Sequence, residues 1–107
     1  MTALRTRLPN RRGCTTFGFR CGAHHYVATV SHFANGQLAE IFLGNGRAGS
    51  DVDAAAKDSA VLASLGLQYG IPLDVLRKAL LRDSQGTPSS PLGAALDILA
   101  AEDGGSP

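Results

Sequence analysis

Apolar and polar positions alternate through the first third of the chain and fall into helical spacing through the rest. From Thr15 to Cys21, Phe17, Phe19 and Cys21 point one way while Thr16, Gly18 and Arg20 point the other, the period of a half-buried strand. Gly22-Ala23 supplies a tight turn. A second strand, rich in β-branched and aromatic residues, is predicted over 25–33 and a third over 38–43. Asn35-Gly36 lies between them and predicts a two-residue type I′ hairpin, whose central residues both need positive φ.

The two turns can be tested against each other. A two-residue turn at Asn35-Gly36 pairs Phe33 with Leu38, Val30 with Ile41 and Ala28 with Leu43. A turn at Gly22-Ala23 pairs Phe19 with Tyr26 and Phe17 with Ala28. Both registers put Phe17, Phe19, Tyr26, Ala28, Val30, Ala39, Ile41 and Leu43 on one face, and a one-residue slip destroys the agreement. The other face carries Arg20, His25, Thr29, Ser31 and Glu40, but also Val27, Phe33, Leu38 and Phe42. Those four apolar residues form a candidate interface, unless the N-terminal arm or the last helix covers them.

Beyond a glycine-rich loop, Ser50 is a good N-cap and Asp51 and Asp53 suit the positive end of a helix dipole. The helix runs to Tyr69 with a small-residue stripe at Ala56, Ser59, Ala60, Ala63 and Gly66. Its second half, including Val61, Leu62 and Leu65, is apolar nearly all round and is expected to be deeply buried. Gly70 fits a left-handed C′ position, and Pro72 opens a second helix with Leu73, Leu76, Leu80 and Leu81 as its apolar stripe. Ser90-Pro91 opens a third, with Leu92, Ala95, Leu96 and Leu99 inward. Three strands followed by three helices predict an α+β fold, the helices packed on one face of the sheet.

Length and charge narrow this picture only slightly. The 107 residues suit one domain: a basic extended arm over 1–13, the folded body over 14–102 and a disordered tail over 103–107. A net charge of +1 points to no partner, but four arginines fall in the first twelve residues and no acidic residue precedes Glu40. With Arg11 and Arg12 in the arm, Arg47 in the loop, and Gly49-Ser50 at a helix N-terminus, a phosphate site is one candidate. Asp51 and Asp53 would repel an anion there, and neither the P-loop nor the dinucleotide pattern is present. Cys14, Cys21 and His24 are weak metal candidates. The strand alternation sends Cys21 inward and the adjacent histidines to opposite faces, so no metal is assigned. Two cysteines are too few for a disulfide scaffold, and a reducing cytoplasm is the expected compartment, with no membrane association. No catalytic residue stands out.

Several short motifs in order carry a family resemblance. They are Leu8-Pro9-Asn10-Arg11-Arg12, then Gly36-Gln37-Leu38-Ala39-Glu40-Ile41-Phe42-Leu43, Arg47 before Gly49-Ser50, and Ala63-Ser64-Leu65-Gly66-Leu67-Gln68-Tyr69-Gly70-Ile71-Pro72-Leu73. This order resembles the TSCPD-type domain, a C-terminal part of adenosylcobalamin-dependent (class II) ribonucleotide reductases. The short TSCPD string itself is absent, as are the reductase's catalytic barrel, radical and redox cysteines and cobalamin site. The resemblance implies an accessory domain, non-catalytic alone, that associates with a protein: a class II ribonucleotide reductase or a second copy of itself. Adenosylcobalamin would belong to the reductase, and this chain would need no cofactor. The alternative is a nucleotide or nucleic-acid binding module built on the arm arginines and Arg47.

Overall fold

The computed structural model describes residues 4–9, 13–46 and 49–102. Strands β1 (Thr15–Cys21), β2 (His24–His32) and β3 (Leu38–Gly44) form an antiparallel sheet in the order β1-β2-β3. Helices α1 (Asp51–Gln68), α2 (Leu73–Ala79) and α3 (Pro91–Glu102) follow, so the class is α+β. The pairs Phe17↔Ala28, Phe19↔Tyr26, Ala28↔Leu43 and Val30↔Ile41 form as the alternation predicts. Their core-side residues meet Ala56, Ala60, Ala63 and Leu67 of α1 and Leu92, Ala95, Leu96 and Leu99 of α3 in one cluster.

The β2–β3 hairpin differs from the expected two-residue turn. Phe33 N–H donates to Gln37 O at 2.8 Å and Gly36 N–H to Phe33 O at 2.9 Å, with Gly36 at φ 90°. The loop is therefore three residues, Ala34 to Gly36, of the kind that ends in a left-handed glycine. Asn35 supports it through its side-chain oxygen, which accepts from Gln37 N–H at 2.9 Å. The pairing then runs one residue out of the expected register until an irregularity between Ser31 and His32 restores it: His32 faces Leu38, while Ser31 faces Glu40. One extra residue in β3 reverses the facing of everything on its hairpin side. Leu38 consequently lies in the core, 5% exposed, and not on the outer face.

Helix α1 runs beside β3 and closes its free edge. Ser64 Oγ accepts from Ile41 N–H and donates to Ile41 O, both at 2.9 Å, and Gln68 Nε2 donates to Ala39 O at 3.2 Å. Ala56, Ala60 and Ala63 are buried on that side of α1, and side chains this small let the helix come near enough for Ser64 to reach the strand backbone. The helix ends in a Schellman motif: Ile71 N–H bonds Gly66 O at 2.9 Å, Gly70 N–H bonds Leu67 O at 3.1 Å, and Gly70 has φ 102°. Gly66 has its own reason. A Cβ there would stand 3.3 Å from Ile71 Cδ1 and 3.7 Å from Leu76 Cδ2, so it admits the chain that leads into α2.

The second half of α1 is less buried than its composition suggests. Val61 is 47% and Leu62 69% exposed, because sheet and α2 cover only part of the circumference. The last two helices are joined by an ion-pair cluster. Asp97 on α3 takes two bonds from Arg82, at 2.7 and 2.8 Å, and one from Arg77 Nε at 3.1 Å. Arg77 also reaches Asp74 at 2.9 Å and Arg82 reaches Gly86 O at 3.0 Å. At the start of α3, Ser90 Oγ accepts from Gly93 N–H at 3.2 Å, the cap expected of Ser90-Pro91.

Candidate docking surfaces

The outer face of the sheet divides in two. Toward the hairpin, Ser31 and Glu40 face each other and are both buried. Away from it, Val27 and Phe42 are 48% and 47% exposed. Thr29 pairs with Phe42 and Val27 with Gly44, so Val27 and Phe42 are diagonal neighbours on one face, about 7–8 Å apart in such pairs. Thr16 Oγ1 and Thr29 Oγ1 share a hydrogen bond at 3.1 Å beside them, and Arg20 and His25 are exposed on the same face. The surface is a small apolar centre with a polar border.

Of the four residues read from the sequence as one patch, the structure brings Val27 and Phe42 together and removes the other two. Phe33 is half-buried, and with Leu38 it lines an open groove of about 1070 Å³ at the C-terminal end of α1. Gln68, Tyr69, Ile71 and Arg77 also line this groove. The N-terminal arm reaches the same place. Arg5 Nε donates to Gln68 Oε1 at 2.6 Å and Thr6 N–H to Gln68 O at 2.8 Å. Gln68 thus ties three segments together: the arm, the C-terminus of α1 and the β3 backbone.

At the β3–α1 turn, the structure shows what Asp53 does. Ser50 Oγ accepts from Asp53 N–H at 3.1 Å as the cap of α1. The Asp53 carboxylate, 3% exposed, accepts from Asn45 N–H at 2.9 Å and pairs with Lys57 at 2.8 Å. The Lys57 ammonium first, and then the Asn45 amide, hold this carboxyl below the usual carboxylate range. An anion approaching the helix end would meet a buried negative charge that already uses the loop donor. Arg11, Arg12 and Arg47 lie outside the described residues; Gly49, at φ 84°, is exposed and Ser50 half-buried.

The cysteines and histidines do not converge. Cys14 is exposed ahead of β1, while Cys21 is half-buried and faces His24 across the first turn. Among the described residues, no group of three His, Cys, Asp or Glu side chains stands close enough to hold a metal ion, and no helix is long and apolar enough to cross a membrane.

Two features carried no usable sequence signal. The Arg77–Asp97–Arg82 cluster joins residues whose spacing fits no helical neighbour rule, since its members meet only when α2 and α3 pack. The Asp97 carboxyl is held below its usual range by Arg82 first and Arg77 next, against partial burial. The seal of Ser64 on Ile41 spans 23 residues; the only hint of it was a polar pair, Ser64 and Gln68, one turn apart on an otherwise small, apolar stripe.

Comparison with known proteins matches residues 2–101 to the TSCPD domain. A vitamin B12-dependent ribonucleotide reductase of Agrobacterium fabrum is 37% identical over 70 residues, which are 65% of this chain and 6% of the reductase. The corresponding protein of Bradyrhizobium diazoefficiens is 34% identical over 70 residues, again 65% of this chain and 6% of its own. That of Streptomyces clavuligerus is 32% identical over 71 residues, 66% and 7%. This chain thus aligns with a small part of those reductases. No solved structure matches it.

Proposed function

The chain belongs to the TSCPD domain family, and on that premise we propose that it is an accessory domain for a vitamin B12-dependent ribonucleotide reductase. In this reading it supplies no catalytic group and acts in the cytoplasm by binding the reductase through the outer face of its sheet. The observation that carries the proposal is the exposed Val27–Phe42 pair, left uncovered on a sheet whose other face packs into the core. In the reductases the matching stretch is a small fraction of a much longer chain, so part of its surface has the rest of that protein to meet. An apolar centre ringed by Thr16, Thr29, Arg20 and His25 has the composition of a modest protein interface. In this reading adenosylcobalamin belongs to the reductase.

The test is co-elution of the purified protein with a vitamin B12-dependent ribonucleotide reductase from which the TSCPD segment has been deleted. A complex is expected, and the double change Val27→Ser and Phe42→Ser should weaken it roughly 100-fold, as loss of a central apolar anchor does. A complex indifferent to both changes would move the interface elsewhere; no complex at all would sink the proposal.

The nucleotide-binding alternative draws less support, because Asp53 and Ser50 already use donors at the loop and the helix end. Salt-sensitive binding of short DNA or of nucleotides, lost on changing Arg11, Arg12 and Arg47 to Ala, would revive it.

A further inference from the structure

The two edges of the sheet are treated differently, and hydrogen-bond parity shows what the open one offers. In an antiparallel ladder each residue aims its N–H and C=O to one side, and successive residues alternate. Ile41 turns both groups away from β2, onto Ser64. Its partner Val30 must then turn its groups toward β1, which makes Val30↔Thr15 and Ala28↔Phe17 the hydrogen-bonded pairs. Thr15, Phe17, Phe19 and Cys21 therefore serve the internal ladder, and Thr16, Gly18 and Arg20 aim their backbone groups outward. The close approach of the Thr16 and Thr29 hydroxyls, at 3.1 Å, agrees with their being a non-hydrogen-bonded pair. All three outward residues are exposed, and among the described residues no backbone bond reaches them from outside the sheet.

We propose that the β1 edge pairs with the β1 edge of a second copy of this chain, antiparallel about a two-fold axis at Gly18, giving one continuous six-stranded sheet. The occupant follows from self-complementarity. Centring on Gly18 overlaps the whole strand, places Gly18 against its own copy and sets Thr16 opposite the partner's Arg20. Every outward N–H and C=O then has a partner of the right parity. Phe17 falls opposite the partner's Phe19 in a close, non-hydrogen-bonded pair on the core face, extending the Phe17–Phe19–Tyr26 ring cluster, whose centroids lie 5.9 and 5.7 Å apart. That contact would cover Phe17, which the monomer leaves half-exposed. Charge agrees as well. Arg20 is the only charged residue of β1, and this register keeps the two copies of it roughly 14 Å apart along the strands. Centring on Arg20 would oppose them directly. The backbone groups it uses belong to the strand edge and not to the Val27–Phe42 face, although Thr16 and Arg20 border both, and the inference does not rest on the reductase reading.

Light scattering coupled to size exclusion should give twice the monomer mass at high protein concentration. Amide exchange at Thr16, Gly18 and Arg20 should slow as concentration rises, while Phe17 and Phe19 are protected throughout. Thr16→Arg would set like charges opposite each other twice and should weaken the dimer at least ~10-fold. Adding Arg20→Glu to that variant turns both contacts into opposite-charge pairs and should restore it. Because both positions are exposed, the monomer fold is expected to survive, and its circular dichroism checks this. A protein that stays monomeric at millimolar concentration overturns the proposal. So does a dimer that ignores Thr16→Arg, or one whose Thr16, Gly18 and Arg20 amides exchange at a rate independent of concentration.

Discussion

The edges of β1 and β3 are equal in length yet meet different fates. Both strands have seven residues and both present outward backbone groups. On β3, the small side chains of α1 bring Ser64 and Gln68 close enough to satisfy Ile41 and Ala39, so that edge is buried and cannot recruit a strand. On β1 no described element supplies such a partner, and Thr16, Gly18 and Arg20 remain open. The β3 edge is thus closed by the helix that packs beside it. Open edges are sites for pairing, and natural proteins cover, charge or use them.

Removing the seal is the strongest way to break this comparison. Ser64→Ala leaves a buried N–H and a buried C=O of Ile41 without partners, and should cost about 2–3 kcal/mol in urea unfolding. A loss under about 0.5 kcal/mol would mean that the edge is closed by burial alone and that the hydroxyl is incidental.

Acid sharpens the comparison from the other side. The depressed Asp97 carboxyl contributes stability that is fully present above its unfolded value near 4 and is lost as pH falls through its lower folded value. Asp97→Asn should therefore lower stability at neutral pH by roughly 1–2 kcal/mol and flatten the decline below pH ~4. Exchange measured at neutral pH in that variant should rise first in α2 and α3, the pair that Asp97 joins, with the Ile41 amide still protected by Ser64. Equal loosening of both regions would show that the seal depends on the α2–α3 corner.

The smallest effect belongs to the open edge. A Cβ at Gly18 meets only Tyr26 O at 3.8 Å. Gly18→Ala should change monomer stability by no more than about 0.5 kcal/mol, measured in dilute solution. A larger loss would mean that β1 is more tightly enclosed than its exposure indicates.

Much of the fold was legible because its signals are local. Alternation plus two turn dipeptides placed Val30 against Ile41 and Phe19 against Tyr26; Ser50, Gly70 and Ser90-Pro91 marked helix ends through capping chemistry that acts within one turn. The candidate site was legible only in part. Asn35-Gly36 admits a two-residue or a three-residue loop, and the choice moves Leu38 from one face to the other. Val61 and Leu62 looked like core because apolar composition says nothing of how much surface the neighbours can cover.

By itself, the sequence determined the order of elements, the faces of the three strands away from the hairpin and the caps of the helices, since each depends on residues within a few positions of one another. Only the tertiary structure decided which sheet edge is sealed, where Asp97 finds its partners and which apolar residues remain outside. Each of those rests on contacts between residues far apart in the chain, whose distances no local pattern encodes.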